Sequence, residues 1–198
     1  MAVCSLEATV SCDFLDFFVC FSYNKSRKEE KTGRMIRQTE SKKYRYEMRN
    51  EIEHIIKNQK IDRNLFHEVA KWNYERVIRK IYYSFCDYKK YPTIQVGYMW
   101  TRFRENLKST ELICTDWADW DLYISQIEKL LPKKKRSFFY YLLVDGGWVY
   151  EGTLECMQQV LKEYPIWMND FYVIPKAKNI SWMIVHCEDG ACMCRVWN

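Results

Sequence analysis

The sequence predicts an α+β fold in which N-terminal helices pack on a C-terminal antiparallel sheet with one crossing helix. Three observations carry that expectation. Apolar residues recur at helical spacing up to Leu131, and strand-length apolar runs separated by tight-turn residues fill the remainder. Trp, Tyr and Phe make up 17% of the 198 residues, against only 6 Gly and 4 Pro. That composition supplies core-forming side chains and excludes disorder or a linker-like chain.

Residues 1–34 read differently from the rest. A Cys- and Phe-rich stretch is followed by Asn24 to Arg34, which is charged and has no hydrophobic period. They are expected to be an N-terminal appendage outside the core, with Met35 as an alternative start to Met1, and residues 35–198 a single α+β domain. From Ser41 to Gln59, Met48, Ile52, Ile55 and Ile56 mark one face of a surface helix. A second helix is expected from Asp62, its cap, with Phe66, Ala70, Tyr74, Val77, Ile81 and Phe85 as a five-turn core stripe. Between Tyr88 and Cys114, Pro92 and Gly97 break the pattern, and Ile94–Trp100 and Glu111–Cys114 read as short strands. A third helix is expected over Asp116–Leu131, striped by Trp120, Ile124, Ile127 and Leu131 and stopped by Pro132.

The last third predicts a hairpin first, with Phe138–Val144 and Trp148–Tyr150 joined through Gly146 and Gly147. A helix opens at Thr153, carries Leu154, Met157 and Leu161 on one face and stops at Pro165. A strand follows at Phe171–Ile174, then a second hairpin, Trp182–Cys187 and Cys192–Trp197, turning at Asp189-Gly190. That turn fixes the register, with Cys187 opposite Cys192 and Trp182 opposite Trp197. The whole sheet is expected to hold four to six strands, all from the C-terminal half.

Charge and cysteine usage narrow the function. Of the net charge of +5, the excess lies in residues 35–110, where 17 Lys and Arg stand against 9 Asp and Glu. The cations alternate with Glu through Arg45–Lys57, which is how a solvated helix face reads. A nucleic-acid-binding accessory protein using the basic helices from Lys42 to Lys90, with Arg76, Arg79 and Lys80 as contacts, is the alternative reading. Lys133–Arg136 reads as an exposed connection guarding the strand after it. No apolar run is long enough for a membrane span and no secretory signal is recognisable, so the nine cysteines are expected to be reduced thiols of a cytoplasmic protein. Cys187, Cys192 and Cys194 cluster, but the register gives them an apolar face with His186 on the other, so they are expected to be core side chains, with no metal and no cofactor.

No nucleophile elbow or glycine-rich phosphate loop is present, and His54, His67 and His186 lie on separate elements. A small hydrolase-like enzyme would need carboxylates at the hairpin ends, Asp145 and Glu151 with Glu188 and Asp189, to converge. Partner binding has better candidates. Trp117, between Asp116 and Asp119 and followed by Asp121, is an aromatic in an acidic segment, with Glu111 nearby, and suits a basic protein partner. Trp182 and Trp197, with His186 and Arg195 on the same face, form either a second partner surface or ordinary packing under the helix from Thr153.

The stretch from Phe138 onward, with Trp148-Val149-Tyr150-Glu151-Gly152 opening a helix, Phe171-Tyr172-Val173-Ile174, and Ser181-Trp182-Met183-Ile184-Val185 before an acidic turn, resembles small bacterial proteins akin to the immunity-type proteins that neutralise toxins. The resemblance implies an α+β domain that binds another protein, a toxin, without catalysis or cofactor. On that reading Trp117, Asp119, Asp121 and Glu111 are the contact residues.

Overall fold

The computed structural model describes residues 36–113, 120–133, 137–164, 170–187 and 192–198. The expected appendage, residues 1–34, lies outside the described residues. The elements run α1 (Ile36–Asn58), β1 (Phe66–Glu68), α2 (Lys71–Phe85), β2 (Lys108–Ile113), α3 (Trp120–Ser125) and α4 (Ile127–Leu130). They continue with β3 (Tyr140–Val144), β4 (Trp148–Gly152), α5 (Leu154–Glu163), β5 (Phe171–Pro175), β6 (Trp182–Cys187) and β7 (Cys192–Trp197). The fold class is α+β, as expected.

The seven strands form one antiparallel sheet in the order β1-β4-β3-β5-β6-β7-β2. Seven strands exceed the four to six expected: the five from Tyr140 onward are joined by β1, which was not expected, and by β2, which overlaps the short strand expected at Glu111–Cys114. These two occupy the two edges, β1 against β4 and β2 against β7. Phe66 therefore belongs to a strand, where its ring stacks on Tyr150 at 5.5 Å, rather than to the helix stripe. Its spacing continued the helical period by coincidence, because a short edge strand and its connection happen to place apolar residues four apart. Asp62 caps only the turn before β1, where its carboxylate accepts from Asn64 N and its carbonyl from Leu65 N and Phe66 N.

Other boundaries also shift. The third helix breaks at Gln126 into α3 and α4, although Trp120, Ile124, Ile127 and Leu131 are all buried as the stripe requires. Ile94–Trp100 is not a strand. Tyr98 takes a left-handed φ of 54° and leads into a 3-10 turn at Met99–Arg102, which ends any extended path. The β3–β4 turn is Asp145–Gly147, with Gly146 and Gly147 at φ 79° and 80°, so glycine was a sound turn signal there. The β6–β7 register is the one that an Asp-Gly turn demands, Cys187 opposite Cys192 through Trp182 opposite Trp197.

The sheet is a middle layer. One face carries Leu142, Val144, Tyr150, Phe171, Val173, Ile184 and His186, all at most 1% exposed. It is covered by α1 through Met48, Ile52, Ile55 and Ile56, and by α3, α4 and α5. The other face carries Leu143, Val149, Tyr172, Ile174, Met183 and Val185, equally buried. Here α2 and the connection after it close the core, tied down by Lys80 Nζ on the Ala177 carbonyl, Arg104 on the Ser84 carbonyl and Trp100 Nε1 on Asp170. α5 crosses over β3 in carrying the chain from β4 to β5. The Thr153 hydroxyl caps it by accepting from Cys156 N, and Trp120 Nε1 docks on the Leu161 carbonyl at 2.9 Å. Among the described residues no helix is long and apolar enough to cross a membrane.

Candidate functional site: the Trp182–Trp197 groove

The register of the last hairpin places Trp182, Ile184 and His186 on one strand opposite Trp197, Arg195 and Met193 on the next. Over His186 lies the α3–α4 pair, and the helix from Thr153 packs beside it on the same face of the sheet. His186 is fully buried, its ring 5.4 Å from Trp120, 5.9 Å from Tyr123 and stacked on Phe171 at 4.8 Å. It is a core residue. Arg195 sends Nη1 to the Leu130 carbonyl at 2.9 Å, and its guanidinium lies over the Trp197 ring at 4.7 Å from the centroid.

Toward the end of the strands the cover stops. A groove of about 410 Å³ opens there, lined by Pro132, Lys133, Ser181, Trp182, Arg195, Trp197 and Asn198. Trp182 is only 4% exposed and forms the floor, while Trp197 is half-buried and forms a wall. Among the described residues the lining holds two basic side chains and no acidic one. Burial pulls the Arg195 pKa below its ordinary value, because the charge is partly removed from water.

Of the acidic half of the expected site, Trp117, Asp119 and the side chain of Glu111 lie outside the described residues. Glu111 is placed by its backbone alone, in the edge strand β2 opposite Cys194, and Asp121 is exposed in the first turn of α3. The structure joins Trp182 and Trp197 across β6 and β7.

The thiols follow the predicted alternation. Cys187 and Cys194 are buried, on the face with Met183, Val185 and Val196, and Cys86 and Cys156 are buried elsewhere in the core. Burial pushes the Cys86 thiol up to about 12, although Arg102 and Arg104 act against it.

Of the carboxylates expected at the hairpin ends, Glu188, Asp189 and the side chain of Asp145 lie outside the described residues, which leaves Glu151, near the end of β4. Its partners are His67 on the neighbouring edge strand, Nε2 to Oε1 at 3.2 Å, and Lys176 Nζ to Oε2 at 2.8 Å. Tyr141, opposite Glu151 on β3, has its phenol pKa raised, mainly by burial. The His67 side chain is half-exposed, yet its Nδ1 is buried without a hydrogen-bond partner. Both oxygens of Glu151 are engaged, so the carboxylate works first as an anchor tying β1, β4 and the chain after β5. Sequence reading missed this cluster because β1 was assigned to a helix, which hid the cross-strand pairing of His67 with Glu151.

Of the cations proposed for nucleic acid, Arg79 bonds Glu75 one turn away at 2.5 Å and Lys80 bonds a backbone carbonyl. A second groove, about 510 Å³, runs between α2 and the Gly146-Gly147 turn, lined by Tyr74, Ile78, Arg79, Ile94 and Val96 among others. Next to it, Glu68 binds Arg49 at 2.7 Å and accepts from the Tyr74 hydroxyl, while the Tyr150 hydroxyl is buried without a partner.

No curated protein and no solved structure matches the chain. A family of unknown function, DUF6756, matches over residues 44–196, from within α1 to the end of the last strand, and the chain belongs to that family.

Proposed function

We propose that this domain is a non-catalytic protein-binding module of the cytoplasm and that its partner docks on the Trp182–Trp197 groove. One observation carries the reading: two cross-strand tryptophans line an open groove together with Arg195, beside the residues that follow α4. Trp and Arg dominate interface energies because each loses much hydrated surface for little entropy. The more specific reading, resting on the resemblance of the last third of the chain, is an immunity-type protein whose partner is a bacterial toxin.

The test is coexpression of the full chain with the product of the adjacent gene. A stoichiometric complex that Trp197→Ala weakens by about ten-fold or more supports the reading. A complex indifferent to Trp197→Ala and Arg195→Lys overturns the groove as the docking site.

The nucleic-acid reading keeps one supporting observation, Trp72 at 84% exposure on the same solvent side of α2 as Arg76. Tight binding of a single strand, lost with Arg76→Ala and steeply weakened by salt, would favour it over the groove.

A further inference from the structure

The groove's chemistry narrows what a partner must present, given that the groove is the docking surface. Arg195 is a partly buried cation whose contacts among the described residues are one neutral carbonyl, that of Leu130, and the face of Trp197. Neither cancels its charge. Only Nη1 is spent on the carbonyl, so most of the guanidinium fork has no hydrogen-bond acceptor. Lys133 adds a second, exposed cation, and among the described residues no Asp or Glu side chain lines the groove. Removing a guanidinium from water without an anion is costly, and a carboxylate arriving in its plane recovers that cost through two parallel hydrogen bonds.

The aromatic walls decide what accompanies the anion. Arg195 already covers one face of Trp197, and Trp182 is a buried floor, so a nucleobase has no open two-sided platform to stack on. An apolar side chain laid against the indole edges fits instead. Asn198 N bonds the Ser181 carbonyl at 3.3 Å, which fixes two lining residues of the groove to each other.

We propose that the groove binds an acidic peptide segment of a protein partner, a Glu or Asp carboxylate beside an apolar side chain, with Arg195 holding the carboxylate and Lys133 as the second cation. This rests on the groove being the docking surface. The test follows the indole N–H signals of the ¹⁵N-labelled full chain by NMR during titration with acetyl-Glu-Phe-Glu-amide. The expected result is a saturable shift at Trp197, with acetyl-Gln-Phe-Gln-amide binding about ten-fold more weakly or worse. Arg195→Lys should erase most of that preference, and Lys133→Gln, which breaks no contact in the fold, should lower affinity for the acidic peptide alone. Equal affinity for the Glu and Gln peptides overturns the carboxylate while leaving the groove as a docking surface. Inorganic phosphate shifting Trp197 as strongly as the peptide reduces the site to a simple anion site and overturns the peptide. Preference for a short single-stranded oligonucleotide overturns it in favour of nucleic acid. If no probe moves Trp197, the inference fails, and the coexpression result decides separately whether the docking reading fails with it.

Discussion

Trp100 donates its indole N–H to the Asp170 carboxylate at 2.9 Å, across 70 residues of sequence, with both side chains at most 5% exposed. The bond ties the connection after α2 to the start of β5, in the middle of the sheet. Trp100→Phe keeps most of the packing and leaves the carboxylate one donor short in a buried setting. The expected loss is about 1.5–3 kcal/mol of unfolding free energy by urea titration, the range for hydrogen bonds to charged groups.

Gly152 has a simpler constraint. A Cβ there would meet the Leu65 carbonyl oxygen at 2.2 Å and the Phe66 side chain at 2.7 Å. The carbonyl is itself pinned by Thr153 N at 2.9 Å, so backbone would have to move. Gly152→Ala should cost about 2–3 kcal/mol and raise amide exchange first in β1, the edge strand it pushes away.

The two groove tryptophans should separate in their cost. Trp182→Ala empties a nearly buried site packed against Tyr140 and should lose about 3–5 kcal/mol by thermal or urea unfolding. Trp197, half-buried, should lose clearly less. Only Trp197→Ala is therefore a clean binding variant, and equal destabilisation by both would show the groove to be more closed than described.

Alkali should unfold the domain earlier than carboxylate chemistry suggests. Cys86, held at about 12 against an ordinary 9.0, and Tyr141 and Tyr150, raised above an ordinary 10.0, are all kept neutral by burial. Folding favours the protonated form of each, so their contribution is complete below about pH 9 and is lost as pH rises through that value toward 12. Stability measured upward from about pH 9 should fall continuously, and Cys86→Ala should flatten the first part of the decline. A flat profile to pH 11 would contradict the burial of all three.

Glu151→Gln is expected to be mild. His67 and Lys176 are both partly exposed, so their pairs with Glu151 are screened, and the change in stability should stay within about 1 kcal/mol and shrink with salt. A much larger loss would mean that the cluster is more than a surface anchor and would return attention to the hydrolase-like alternative.

Legibility followed the physics of each element. The last hairpin was readable to the residue because an Asp-Gly turn fixes the pairing and a period of two then assigns every side chain to a face. The stripe of α2 from Tyr74 to Phe85 and that of α1 were readable because a buried helix face repeats every three to four residues. β1 was not. Three residues carry no usable period, and Phe66 gains its strand identity only by lying against Tyr150. The His67–Glu151–Lys176 cluster was hidden for the same reason, since its members stand on three separate segments.

The sequence by itself determined the α+β class, most of the core stripes and the register of the last hairpin, with Trp182 opposite Trp197. These depend on local period and turn chemistry, which neighbouring residues specify. Only the tertiary structure decided which strands closed the sheet at its edges, which helix covered which face, and where that cover stopped. Those are long-range outcomes of packing, in which α3 and α4, rather than α5, came to lie over His186. The exposure of Trp197 beside Arg195 is such an outcome: the strand pattern put them side by side, and the place where the helical layer ends left them open to solvent.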